Sequence, residues 1–201
     1  MAILWFERRD GADAWAAAPD NAIEKGSRPF KEIGLRGIGH GQLDMGEVHR
    51  FATSEAPFGL AAASRLVAKV FAPWVQDLAL LVESVELVRP PGAQPDWQPG
   101  AVLRLPFSKK ICCDGEAVCS QALMALADSA MVVACSAAWN GYRPMSTIDQ
   151  TTHFLRPATS DVIADARVVR IGRNTSFGHV MLLGASDKRP VGMVASAYSM
   201  L

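Results

Sequence analysis

Asp128 is the residue whose surroundings demand an explanation. It is the one charged side chain in AVCSQALMALADSAMVVACSAAW, residues 117–139, a run without Gly or Pro. An ionised carboxylate among apolar neighbours is costly unless it is paired, hydrogen-bonded or used for chemistry. Desolvation is expected to raise its pKa unless donors from a neighbouring element counter that. On residue chemistry alone two readings stand level. One is a structural carboxylate accepting a bond from a Ser or Thr on a strand; the other is a base or nucleophile.

The start of the same run supplies a second element. Asp114-Gly115-Glu116 suit an N-cap and an acidic first turn, and the backbone N–H groups from Val118 to Gln121 are expected to carry the positive end of a helix dipole. Asp128 lies about two turns, roughly 10 Å, further along the axis than Gln121. A carbonyl polarised at the helix start and attacked from near Asp128 has the geometry of acyl transfer. Cys119 at the same place is a thiol that a helix N-terminus would acidify. No base is evident near it, and a buried structural cysteine is the commoner case.

The remaining reactive residues lack a pattern. Cys112, Cys113, Cys119 and Cys135 form no C-x-x-C pair, which argues against zinc and against a disulfide framework. His40, His49, His153 and His179 have no ligand spacing, so no metal is expected. Gly37-x-Gly39-x-Gly41 lacks the third glycine of a nucleotide loop and a convincing strand before it. Trp5, Trp15, Trp74, Trp97 and Trp139 share no short spacing and read as packing anchors.

Residues 117–139 are long enough for a helix and apolar nearly all round, so the helix must be buried in a core or in lipid. A membrane span would set Asp128 at mid-bilayer, and several strand candidates follow at short spacing; a core helix is the expected arrangement. Leu60, Ala63, Val67, Val70, Phe71 and Trp74 recur at helical spacing, with Pro73 expected to end or kink that helix. Strands are expected within 78–89, 101–105, 147–156, 161–171, 177–185 and 191–198, the fourth of these showing strict alternation. Helix, two strands, long helix and four strands imply an α+β domain with a mostly antiparallel sheet wrapped round the long helix. Residues 1–55 read as an irregular, partly helical extension and 56–201 as the domain.

The 201 residues carry 20 basic and 20 acidic side chains, and half of the chain is apolar. That is enough for a real core, and a net charge of zero offers no long-range attraction to nucleic acid or an anionic membrane. The apolar run 2–6 is too short for a signal peptide and lacks a basic stretch before it, so a cytoplasmic protein with reduced thiols is expected.

From about Leu78 to Tyr198 the chain resembles the hotdog-fold acyl-CoA thioesterases of the phenylacetate-degradation (PaaI-like) kind. The resemblance lies in AVLRLPFS (101–108), GEAVCSQALMALADSAM (115–131), STIDQTTHFLRPA (146–158), ARVVRIGRNTSFGHV (166–180) and PVGMVASAY (190–198), in the right order and spacing. It implies that Asp128 is the catalytic carboxylate, nucleophile or general base on the thioester carbonyl, in a site shared by two subunits. Thr147 falls where such proteins have a Ser or Thr contributed by the partner chain. Ser120 falls on the glycine whose backbone N–H forms the oxyanion hole. The usual His-Gly-Gly is here Cys119-Ser120-Gln121, and the usual upstream Asn is Cys113, with Gln121 as a replacement donor. Cys113 and Cys119 would therefore line the substrate site. Arg143 and Arg173, with Arg156, Lys109 and Lys110, are candidates for the phosphates of coenzyme A.

The resemblance thus implies hydrolysis of an acyl- or aryl-CoA with no cofactor beyond the coenzyme A of the substrate, in a homodimer or dimer of dimers. The alternative is a hotdog protein that binds an acyl-CoA or another apolar ligand without cleaving it. A hydratase would need an Asp/His pair that no single element carries.

Overall fold

The computed structural model describes residues 57–113 and 116–201. The expected extension at 1–55, the glycine triplet at 37–41 and the Asp114 cap fall outside the described residues. The first described helix is α1 (Leu60–Lys69), which buries Ala63, Leu66 and Val67 along one face. Pro73 does not end α1; it occupies the first turn of the short helix α2 (Pro73–Gln76), where a residue without an N–H loses nothing.

The strands are β1 (Leu81–Glu86), β2 (Gly100–Leu105), β3 (Cys112–Cys113), β4 (Ala117–Val118), β5 (Met145–Phe154), β6 (Val162–Ile171), β7 (Thr175–Gly184) and β8 (Pro190–Met200). Six of them form one sheet in the order β1-β2-β6-β7-β8-β5, with every neighbouring pair antiparallel. The long helix, α3 (Ser120–Ala138), packs on one face of this sheet. This is the hotdog fold, an α+β arrangement with a sheet curled round one helix.

Two-residue periodicity explains how the sheet receives the helix. Val162, Ala164, Ala166 and Val168 of β6, Val180 and Leu182 of β7, and Val194 and Tyr198 of β8 all point inward and are buried. On α3 every residue from Ser129 to Ala137 is buried. Small residues let the two layers approach: a Cβ on Gly178 of β7 would run into the Met131 thioether and the Arg167 carbonyl. Among the described residues α3 is long and apolar enough to cross a membrane, yet most of it is buried against the sheet, as in a core helix.

The helix begins later than the apolar run suggests. Ala117 and Val118 belong to the small β3–β4 hairpin, so α3 starts at Ser120 with Cys119 as an N-cap that makes no side-chain capping bond. The Val118 N–H is taken by the Ala158 carbonyl and the Cys119 N–H by the Ile111 carbonyl. Only the N–H groups of Ser120, Gln121 and Ala122 then remain without an intrahelical acceptor.

The β1–β2–β6 side of the sheet is tied by charge. Asp161 accepts from the Phe107 backbone N–H at 2.8 Å and from the Arg104 guanidinium at 3.2 Å. The Phe107 amide holds the Asp161 carboxyl below its ordinary range, against the upward pull of burial and with help from Arg104. Burial also pulls Glu86 upward, but its bond to Arg167 and that cation's charge leave it lowered. A carboxylate whose folded pKa is depressed stabilises the fold fully above its unfolded pKa and loses that contribution as pH falls through the folded value. Asp161→Asn is therefore expected to lower Tm at neutral pH and to make the acid limb of the stability curve shallower. Denaturation followed between about pH 2 and 7 checks this, and an acid limb as steep as that of the wild type would contradict it.

Candidate active site

Among the described residues, α3 is most open to solvent in its first half. Gln121 and Met124 are exposed, and Ala125 and Asp128 are half-buried. Their spacing sets them on one stripe of the helix. Asp128 sits at the inner end of that stripe, where the helix passes beneath β5 and β8. Thr147 Oγ1 donates to Asp128 Oδ1 at 2.8 Å, and the Tyr198 hydroxyl donates to the same oxygen at 3.0 Å. Among the described residues no donor reaches Oδ2, which leaves that oxygen as the one able to take a proton or attack.

Thr147 and Tyr198 meet because they are direct partners in the β5–β8 ladder. The ladder is interrupted between Thr147 and Asp149, so Ile148 is an extra residue on the edge strand. Without it, Thr147 and Gln150, three positions apart, would point to opposite faces. With it, Thr147 opposes Tyr198 and Gln150 opposes Ser196, all turned toward α3. Gln150 Nε2 then donates to the Met124 carbonyl at 3.2 Å, the carbonyl to which helical geometry assigns the Asp128 N–H. β5 therefore grips both the side chain of Asp128 and the turn that carries it.

Tyr198 is fully buried. Burial raises its pKa strongly, and the Asp128 charge and the bond to it act in the same direction, so the phenol keeps its proton and remains a donor. The Ser196 hydroxyl, close to the phenol oxygen, pulls the Tyr198 pKa part of the way back down without reversing the rise.

The structure thus joins Asp128 and Thr147 within one chain. The expectation that Thr147 serves Asp128 from a partner chain is corrected: their bond is intramolecular, since β5 lies beside α3 of its own chain. The other expected residues lie apart. Ser120 and Gln121 are exposed at the helix start, with Ser120 Oγ donating to Gln121 Oε1 at 3.2 Å, and neither touches Asp128. Cys113 is exposed on β3, and Cys119 is half-buried. Burial, with Cys119 and Cys113 nearby, raises the Cys112 thiol, while burial alone pushes Cys135 up to about 12, which keeps it inert.

The basic residues divide between the two ends of the helix. Arg143 lies beyond the last turn, 5.5 Å from the Trp139 ring, and Arg173 is in the turn beside the Met200–Asn174 and Leu201–Pro144 contacts. Lys109 and Lys110 precede the Ile111–Cys119 contact, and Arg156 precedes Ala158, the partner of Val118, so these three collect near the helix start. Tyr198 and Gln150 carry functions that the sequence reading did not assign. A Tyr at an inward strand position needs a partner for its hydroxyl, and that was the one available signal for Tyr198.

Residues 122–190 match the sequence profile of the thioesterase superfamily. No curated protein matches the chain. Solved structures do. The Escherichia coli PaaI protein from the phenylacetic acid degradation operon is 17% identical over 71% of this chain and 96% of its own, with a TM-score of 0.55. Zebra fish thioesterase superfamily member 2 is 16% identical over 71% of this chain and 97% of its own, with a TM-score of 0.57. A Haemophilus influenzae thioesterase is 17% identical over 73% and 92%, again at 0.57. These likenesses establish the shared hotdog fold.

Tyr198→Phe keeps the ring in the core and removes one of the two donors to Oδ1. A hydrogen bond to a charged acceptor contributes about 1.5–3 kcal/mol, and because Thr147 still holds the carboxylate the loss is expected at the lower end of that range. Chemical denaturation measures it. Unchanged stability would mean that the phenol does not serve Asp128.

Proposed function

We propose that this protein hydrolyses the thioester of an acyl- or aryl-CoA, with Asp128 as the carboxylate that activates water or attacks the carbonyl carbon. One observation carries the reading. The single acid of a core helix lies on a stripe of that helix left open among the described residues, with one oxygen fixed by two hydroxyls and the other taken by no donor among those residues. In the general-base form Oδ2 takes a proton from water, a C–O bond forms, the C–S bond breaks, and the thiolate leaves with that proton. The carbonyl oxygen, negative in the tetrahedral state, is met by the free N–H groups at a helix start, led by Ser120. The match of residues 122–190 to the thioesterase superfamily supports this chemistry. No cofactor enters it, and reduced thiols suit a cytoplasmic setting.

Within one chain the helix start is about 10 Å from Asp128, too far for both to act on one carbonyl. A second copy of the chain answers this. β5 is a ten-residue edge strand with one side unpaired, and Ile148 on it and Met124 beside it are 59% and 39% exposed. A long edge strand with unpaired N–H and C=O groups invites pairing with another strand. A two-fold pairing of β5 with itself would set the two α3 helices antiparallel, so that each helix start approaches the other copy's Asp128. Lys109, Lys110 and Arg156 near the helix start suit the phosphates of coenzyme A better than Arg143 and Arg173 at the opposite end. Dimers pairing further into tetramers remain part of the proposal.

The competing reading, binding without cleavage, is favoured by the replacement of His-Gly-Gly with Cys119-Ser120-Gln121. Thiol release decides between them. Asp128→Asn is expected to lower release from acyl-CoAs by about 10²–10⁴-fold with the fold kept, as read by circular dichroism. Unaltered hydrolysis in that variant contradicts the role of Asp128. A thermal shift with acyl-CoA but no release by the wild type would establish binding alone. Ile148→Arg tests the second copy: sedimentation should show a dimer becoming a monomer, with release lost and the circular dichroism spectrum kept. A fully active wild-type monomer would overturn the shared site.

A further inference from the structure

The hydrolytic reading leaves the two strand histidines, His153 and His179, unused, and both lie on the sheet face turned away from α3. In β7 and β8 the buried residues Val180, Leu182, Val194 and Ser196 face the helix. His179, Met181, Met193 and Ala195 alternate with them and therefore face outward. Met193 is 47% exposed, His179 and Ala195 are exposed, and Met181 is half-buried.

The strand register makes a square of these four residues. Met181 opposes Met193, and His179 opposes Ala195. Directly opposed Cβ atoms stand about 4.5–5.5 Å apart, and successive residues on one face of a strand about 6.5–7 Å apart. Three corners thus carry soft donors, two thioethers and an imidazole. The fourth carries only a methyl group, which leaves room above the middle. Methionine has three rotatable bonds, so both sulfurs can turn toward the same point as the imidazole. The sequence shows no ligand spacing here because the donors come from two strands and meet only through their pairing.

The donor types select the ion. Among the described residues no three His, Cys, Asp or Glu side chains are placed to hold a metal. The square differs in that two of its three donors are thioethers, which favour Cu(I) over the divalent ions that carboxylates hold. A cation there is not repelled by its neighbours on β6. Arg167 opposes His179, but it is ion-paired with Glu86 and with Asp165, the residue that opposes Met181. We infer that this outer face binds one Cu(I) ion through the thioether sulfurs of Met181 and Met193 and a ring nitrogen of His179. The inference goes beyond thioester hydrolysis and does not depend on it, since the sheet separates the square from Asp128. His153 opposes Met193 from the β5 side, two strands away from Met181, and lies outside the square.

The test is an anaerobic Cu(I) titration of the full-length protein with isotope-labelled methionine methyl groups followed by NMR. Cys112, Cys113 and Cys119 are alkylated beforehand, because accessible thiols compete for the ion. The Met181 and Met193 methyl signals are expected to move together and to saturate at one ion per chain. Met181→Leu and Met193→Leu conserve volume and keep the fold. Each, like His179→Ala, should weaken Cu(I) binding by about tenfold or more, since losing a ligand costs at least as much as losing a group behind one. His153→Ala should bind as the wild type does. Unmoved Met181 and Met193 signals overturn the inference, whether copper binds elsewhere or a second copy of the chain covers the face. An equal loss in His153→Ala and His179→Ala, with both leucine variants unaffected, also overturns it and marks adventitious binding by surface histidines.

Discussion

A carboxylate in the middle of a core helix can persist only if something outside the helix stabilises its charge, and here two hydroxyls on neighbouring strands do so. Thr147 and Tyr198 converge on one oxygen of Asp128. Their convergence requires the β5–β8 register, and that register requires the bulge at Ile148. The apolar sheet that buries the rest of α3 makes the acid expensive, and the same sheet supplies its donors. Fold and site are therefore one constraint: a slip of one residue in β5 would turn Thr147 away and leave a half-buried charge with a single partner.

Much of this was legible in the residues. Period-two alternation located β6, short apolar runs between turn residues located β7 and β8, and the long run without Gly or Pro located α3. A lone charge in that run singled out Asp128. The helix start was misplaced because Ala117 and Val118 are equally apolar in a hairpin strand and in a helix; only the backbone partners Ala158 and Ile111 decide. Gln150 escaped notice because a bulge alters strand parity without a sequence signature. Thr147 was assigned to a partner chain by resemblance, whereas β5 folds back beside its own helix.

The central physical claim is that two donors act together on one oxygen to hold Asp128 ready. A double-mutant cycle on kcat/KM for thioester hydrolysis, with Thr147→Val, Tyr198→Phe and both together, tests it most directly. Either donor alone is expected to keep the carboxylate partly in place, so the combined loss should exceed the product of the single losses by about tenfold or more. Losses that simply multiply would contradict the claim and make the two hydroxyls independent of one another.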